Sequence, residues 1–182
     1  FDFYLTAGMA LSSLLIVTLA GGCGPATSDD GVKTLRVPIV SDGPGSLDPA
    51  DGSTLYDNRC IAQIYETLVQ YSYLKRPLQL EPLLLEKMPE ITGDGVNYRF
   101  TLKKGIHFQD DPCFPGGKGR ELVTDDVIYS FLRLADRNVS TKNWWLLADT
   151  IVGLDERQAS QDGGEFDYSA DIDGLKKIDD YT

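Results

Sequence analysis

The sequence predicts a mixed α/β domain, and three stretches carry that expectation. In Asn97–Lys103 the residues Tyr98, Phe100 and Leu102 fall on one face and Asn97, Arg99, Thr101 and Lys103 on the other, the period of two expected of a half-buried strand. Gly93-Asp94-Gly95 before it tolerates positive φ, so Pro89–Thr92 is placed as the antiparallel partner in a hairpin. Thr124-Asp125-Asp126 then opens a helix, with the threonine read as N-cap and two carboxylates at the positive end of the helix dipole. Val127, Ile128, Phe131, Leu132, Leu134 and Ala135 give that helix a broad apolar face. Between strand and helix, Gly105 breaks the run, Ile106 and Phe108 resume the alternation, and a polar loop follows. This order describes a scaffold carrying a loop rather than a catalytic cluster.

A chain of 182 residues suits one domain of ordinary size, and 42% apolar with 10% aromatic residues is enough for a core. The formal charge is −11, or −10 once residues 1–22, whose only charged residue is Asp2, are set aside. A surface that acidic repels phosphate backbones, which argues against a nucleic-acid partner.

The N-terminal stretch reads as an export signal. Ala10–Ala20 (ALSSLLIVTLA) is too short to span a bilayer and fits the apolar region of a secretory leader. No Met stands at position 1 and no Lys or Arg precedes the run, which reads as a chain beginning inside a longer reading frame. Ala20-Gly21-Gly22-Cys23 resembles the lipobox of bacterial lipoproteins, with the usual leucine one position early at Leu19. That resemblance implies cleavage before Cys23 and a diacylglyceryl group on its sulfur, whose chains contribute about 0.8 kcal/mol per buried CH₂ toward holding the domain at a membrane. An ordinary cleaved leader with an incidental cysteine is the alternative. Residues 23–32 then serve as a tether, Gly24–Gly31 being small and polar.

Onward, Lys33–Val40 alternates as a first strand, and Ser41–Pro49 is dense in turn formers. Asp57–Tyr71 reads as a helix capped by Asp57, with Ile61, Ile64, Tyr65 and Leu68 at helical spacing. Pro77–Pro89 is an extended connector whose Leu78, Leu80, Leu83, Leu84 and Leu85 are expected to cover core. Asp155–Asp173 reads as an acidic loop, and Leu175–Thr182 as one strand and a turn.

Five blocks appear in series: Ser46-Leu47-Asp48-Pro49; Gln63 to Val69 (QIYETLV); Leu80-Glu81-Pro82-Leu83-Leu84; Tyr98 to Phe108 (YRFTLKKGIHF); and Thr124 to Phe131 (TDDVIYSF). Together they resemble the extracytoplasmic solute-binding proteins of peptide-type ABC transporters, over roughly residues 35–182. One departure is Asp110–Leu122, longer than the short turn usual there and containing Cys113, so the ligand preference is not assumed from the family. The resemblance implies a periplasmic-binding-protein type II-like two-lobe fold. Of this the chain is expected to hold the first segment of lobe one (33–64) and most of a small α/β domain (65–182), incomplete at the C-terminus. It also implies capture of a peptide outside the cytoplasm and delivery to membrane permease subunits. The protein would be monomeric, lipid-anchored in the periplasm or on the outer face of the cytoplasmic membrane, with no cofactor and no covalent chemistry.

By the same resemblance, Ser53, Thr54 and Leu55 stand at the turn that contacts ligand, where backbone groups pair with an extended peptide. A second contribution comes from Asn138–Ala148, where Trp144 and Trp145 are candidates. Adjacent indoles cannot easily do the same job, so one is expected in the core and one near the cleft, in either order. With Cys23 acylated, Cys60 and Cys113 remain, an even number in an oxidising compartment. A bond between them would staple the unusual loop to the first helix, worth roughly 4 kcal/mol less any strain; two free thiols are the alternative.

Other features take the plain reading. His107 has no partner at metal-ligand spacing, and Gly116-Gly117-Lys118-Gly119 lacks the phosphate-loop spacing. Asp110-Asp111 and Asp125-Asp126 fit turn and cap chemistry rather than acid–base work. Asp171-Ile172-Asp173-Gly174 lacks the later ligands of a calcium loop, and Asn138-Val139-Ser140 is a chance sequon. Two further functions stay open: a family member binding a sugar, nickel chelate or haem, and a surface hydrolase, for which no nucleophile–base pair is spaced.

Overall fold

The structure is a computed structural model that describes Pro38, residues 42–169 and residues 171–182. The chain divides into two units, Phe1–Pro38 and Ile39–Thr182, and the described helices and strands lie in the second. The leader 1–22, Cys23, the tether and, Pro38 apart, the first strand Lys33–Val40 lie outside the described residues.

Helix α1 runs Leu55–Ile61 and is capped by Thr54, whose Oγ1 accepts the Asp57 N–H at 3.1 Å while Asp57 Oδ2 accepts the Thr54 N–H at 2.9 Å. This corrects the expected helix at both ends. Asp57 is the third helical residue of a reciprocal capping box, not the cap. The helix also stops ten residues short of Tyr71. Ile64 and Tyr65 are exposed, so their helical spacing meets no surface to bury them. Val69–Tyr71 instead forms strand β1, antiparallel to β2 (Leu80–Pro82), with Val69 opposite Pro82 and Tyr71 opposite Leu80.

The second hairpin is as expected in place and partner. Strand β3 (Glu90–Ile91) pairs with β4 (Tyr98–Arg99) in the register Glu90–Arg99 and Ile91–Tyr98. Gly95 turns the chain at φ 74°, and Asp94 accepts the Val96 N–H at 3.1 Å. The regular ladder is shorter than the seven-residue strand expected, but extended pairing resumes at the bridge between Leu85 and Leu102, both buried. Leu85 therefore covers core as expected, whereas Leu78 and Leu80 face solvent. Ile106–Phe108 then pairs with Arg120–Leu122 through Leu122 N–H to the Ile106 carbonyl (2.8 Å) and Phe108 N–H to the Arg120 carbonyl (3.0 Å). A Cβ on Gly119 would lie 1.8 Å from the Phe108 carbonyl oxygen, so no side chain fits where the strands close.

Helix α2 spans Thr124–Ala135. Thr124 is not its cap: its N–H donates to the Asp180 carbonyl at 2.9 Å, and Asp126 caps the turn by accepting the Val123 N–H at 2.9 Å. The C-terminal segment forms turns rather than the expected strand. Tyr181 O accepts the Leu102 N–H at 2.7 Å, and Lys177 pairs with Asp125 (2.7 Å) and Asp180 (2.9 Å), so this segment joins the hairpin to the start of α2. The expected acidic loop contains helix α3 (Leu154–Ala159), entered through Gly153 at φ 84°. Leu154 makes that helix: it is fully buried beside Leu132 and Ala135 of α2, with Phe166 and Ile172 completing the core.

Among the described residues no helix is long and apolar enough to cross a membrane.

Candidate functional site

The loop Gly45–Ser53 is folded around one buried carboxylate. Asp57, 2% exposed, accepts backbone N–H bonds from Gly45 (2.7 Å), Ser46 (3.4 Å), Ser53 (3.1 Å) and Thr54 (2.9 Å). Four amides converging on one anion favour its charged form, so Asp57 is held well below the usual carboxylate range, with the Thr54 amide the largest cause. Gly52 sits where this loop packs on α1: a Cβ there would come 2.4 Å from Ile61 Cδ1 and 3.2 Å from the Asp48 carbonyl.

The same loop is fixed to the segment following α2. The Arg133 guanidinium grips both oxygens of Asp48, with Nη1 to Oδ1 at 2.7 Å. This fork depresses the Asp48 pKa and raises that of Arg133. Asp51 pairs with Lys142 at 2.9 Å and accepts the Ser140 hydroxyl at 3.1 Å; Lys142 lowers its pKa. Asn143 acts as a clamp, its Nδ2 donating to the carbonyls of Pro49 (3.0 Å) and Gly52 (3.2 Å), while the Lys142 N–H donates to the Ala50 carbonyl (3.1 Å).

Asn143 also precedes the 3₁₀ turn Trp144–Leu146. Residues adjoining both expected contact segments, Gly52 before Ser53 and Asn143 before Trp144, are thus held together by hydrogen bonds. Ser53, Thr54 and Leu55 are exposed. Trp144 packs on the core cluster, whereas Trp145 stands 71% exposed, a division of labour the sequence left open in its order. Cys60 is half-buried on α1 and Cys113 is exposed; both are free thiols, so the expected staple is not formed. A thiol hydrogen bond to Asp111 holds the Cys113 pKa up. His107 Nδ1 lies 3.1 Å from the Gly105 carbonyl. Among the described residues no three His, Cys, Asp or Glu side chains converge to hold a metal ion.

Sequence reasoning missed Asp57 as the loop's hub and the roles of Arg133, Lys142 and Asn143. The signal for Asp57 was present, because Thr54-x-x-Asp57 is a capping-box spacing. For Arg133 and Asn143 there was none, since their partners lie 85 and up to 94 residues away. A groove of about 320 Å³, lined by Asp125, Ile128, Leu132, Tyr168, Ile172 and Lys177 among others, contains none of the expected ligand residues; Ser53, Thr54, Leu55 and Trp145 are exposed elsewhere and Trp144 packs on the core.

Comparison with known proteins decides what kind of scaffold this is. The model for bacterial extracellular solute-binding proteins, family 5 (middle region), matches residues 79–182, more than half of the chain. The chain belongs to that family. The "Heme-binding protein A" of Haemophilus influenzae is 37% identical over 81 residues, covering 44% of this chain and 14% of that protein. The "Probable ABC transporter periplasmic-binding protein SapA" of Escherichia coli K12 is 30% identical over 138 residues, covering 70% of this chain and 24% of that one. Among solved structures, the ABC transporter-associated periplasmic binding protein DppA of Helicobacter pylori in complex with the peptide STSA matches with a TM-score of 0.51 and 26% identity, over 76% of this chain and 24% of DppA. The match thus spans no more than about a quarter of these relatives' length. Family membership agrees with the α/β binding-protein architecture expected, and these relatives are named as binding proteins rather than enzymes.

Proposed function

We propose that this solute-binding-protein chain supplies part of a peptide-capturing surface, made by the turn Ser53–Leu55 and the indole of Trp145. The protein would gather peptides outside the cytoplasm and pass them to the permease of an ABC importer, moored by acyl chains on Cys23. The observation that supports this most is the Asn143 clamp. It fixes a turn of three exposed residues to a turn carrying an exposed aromatic, a pre-ordered surface on which an extended peptide can pack with little ordering cost. The likeness to a peptide-bound DppA favours the same reading.

Haem or another non-peptide solute is the second reading, and the relative named for haem binding favours it. Calorimetric titration of the intact natural protein with a di- to tetrapeptide mixture and, separately, with haem tests both. Saturable heat with the peptides alone supports the proposal. Binding of haem alone transfers the assignment to the second reading, and turnover of the peptides overturns both.

A further inference from the structure

We infer that the tip of the β1–β2 hairpin is a docking surface for an anionic phospholipid bilayer. Tyr71, Tyr73, Leu74, Leu78 and Leu80 all face solvent within the ten residues from the end of β1 to the start of β2, with Tyr73 88% and Leu74 85% exposed. Nothing in a hairpin's own geometry requires large apolar side chains at its tip. Polar turn formers serve a turn better, and exposed clusters of this kind mark interaction sites.

Charge identifies the occupant. The chain carries −11 overall, yet Thr67–Leu80 contains no Asp or Glu and places Lys75 and Arg76 together at the turn. Neither cation is in an ion pair with a described residue. Arg76 Nη1 donates only to carbonyls of its own turn, those of Lys75 (2.7 Å) and Tyr73 (3.2 Å). Tyrosine and leucine flanking Lys and Arg form the combination that settles at a headgroup boundary, rings and stems in the apolar layer and cations among phosphates.

A protein partner fits less well. Stable protein interfaces engage about 20–30 residues a side, and Tyr71–Leu80 offers nine exposed ones, Ser72 being buried. The acidic body opposes approach to an anionic surface, which confines contact to the tip. The turn is nevertheless well held, by the paired strands below it and by the Ser72 N–H donated to the Gln79 carbonyl at 2.8 Å.

This inference rests on the membrane attachment proposed above, and one protein background separates the two. In a Cys23→Ser variant of the intact protein no acyl anchor forms, so sedimentation with vesicles reports binding without acyl chains, and the tip substitutions below assign it to the hairpin. Vesicles of phosphatidylethanolamine with phosphatidylglycerol should retain this protein, and phosphatidylcholine vesicles should not. Lys75→Gln with Arg76→Gln should weaken partitioning about 30-fold, the product of two surface cations. Tyr73→Ser with Leu74→Ser should weaken it at least about tenfold.

Both double variants should keep the parent's urea midpoint and peptide titration, so that loss of vesicle binding is neither unfolding nor loss of the ligand site. Equal retention by the two vesicle types overturns the inference, as does retention unchanged by the tip substitutions. Concentration-dependent dimerisation that the tip substitutions abolish reassigns the surface to a second copy and overturns it too. Release of the unmodified protein from cell membranes by Cys23→Ser tests the anchor separately.

Discussion

The fork between Arg133 and Asp48 joins the Ser46–Pro49 block to α2 across 85 residues, and it should be measurable as a coupling energy. Asp48→Asn, Arg133→Gln and the double variant form the cycle. Two unit charges at about 4 Å attract by about 1 kcal/mol in water and about 4 kcal/mol at the effective dielectric near a protein surface. Each side chain here is about one-third exposed (32%), so screening and partial desolvation remove much of the upper figure. The bidentate geometry restores some of it. The coupling should therefore be about 1–2 kcal/mol at pH 7 and 0.15 M salt, read from urea unfolding, and should fall clearly at 1 M salt. Additive single substitutions, with coupling under about 0.3 kcal/mol, would refute the fork as a structural link. So would a coupling that salt leaves unchanged.

Three further outcomes follow from the same geometry. Asp48, Asp51 and Asp57 have folded-state pKa values below their unfolded ones. Their stabilisation is complete above the unfolded carboxylate range near pH 4 and is lost as pH falls through the depressed folded values, so stability should decline below about pH 4. Asp57→Asn should flatten that acid limb, and a parent with no acid limb would contradict the hub. Trp145→Ala should weaken peptide binding with little change in urea midpoint, while Trp144→Ala should lower the midpoint; the reverse pattern would exchange their roles. Leu154→Ala, at a fully buried site against α2, should cost about 2–5 kcal/mol, and a loss under about 1 kcal/mol would deny α3 its place in the core.

What was legible in the sequence is what local chemistry specifies. The β3–β4 hairpin was readable because Gly93-Asp94-Gly95 supplies the turn and the following residues alternate. Helix α2 was readable from its apolar face and acidic first turn, although its first residue was misassigned as the cap because Thr124 is engaged by the Asp180 carbonyl. Helix α1 was extended too far because Ile61, Ile64, Tyr65 and Leu68 keep helical spacing. What ends the helix is the pairing of Val69–Tyr71 with Leu80–Pro82, and the opening Pro77–Pro89 gives no local sign of that pairing. Helix α3 was hidden because one residue, Leu154, supplies its burial and the acidic residues after it look like a loop. At the candidate site the sequence named residues by resemblance alone, and it gave no sign of the clamp that joins the segments beside them. Asn143 is an ordinary polar residue until the fold brings the carbonyls of Pro49 and Gly52 to it.

Amide hydrogen exchange on the intact protein, with and without a saturating peptide mixture, tests the central assignment most directly. The account predicts slowed exchange in the segments holding Ser53–Leu55 and Trp144–Leu147. Peptide binding that leaves both segments unprotected while slowing exchange elsewhere would contradict it.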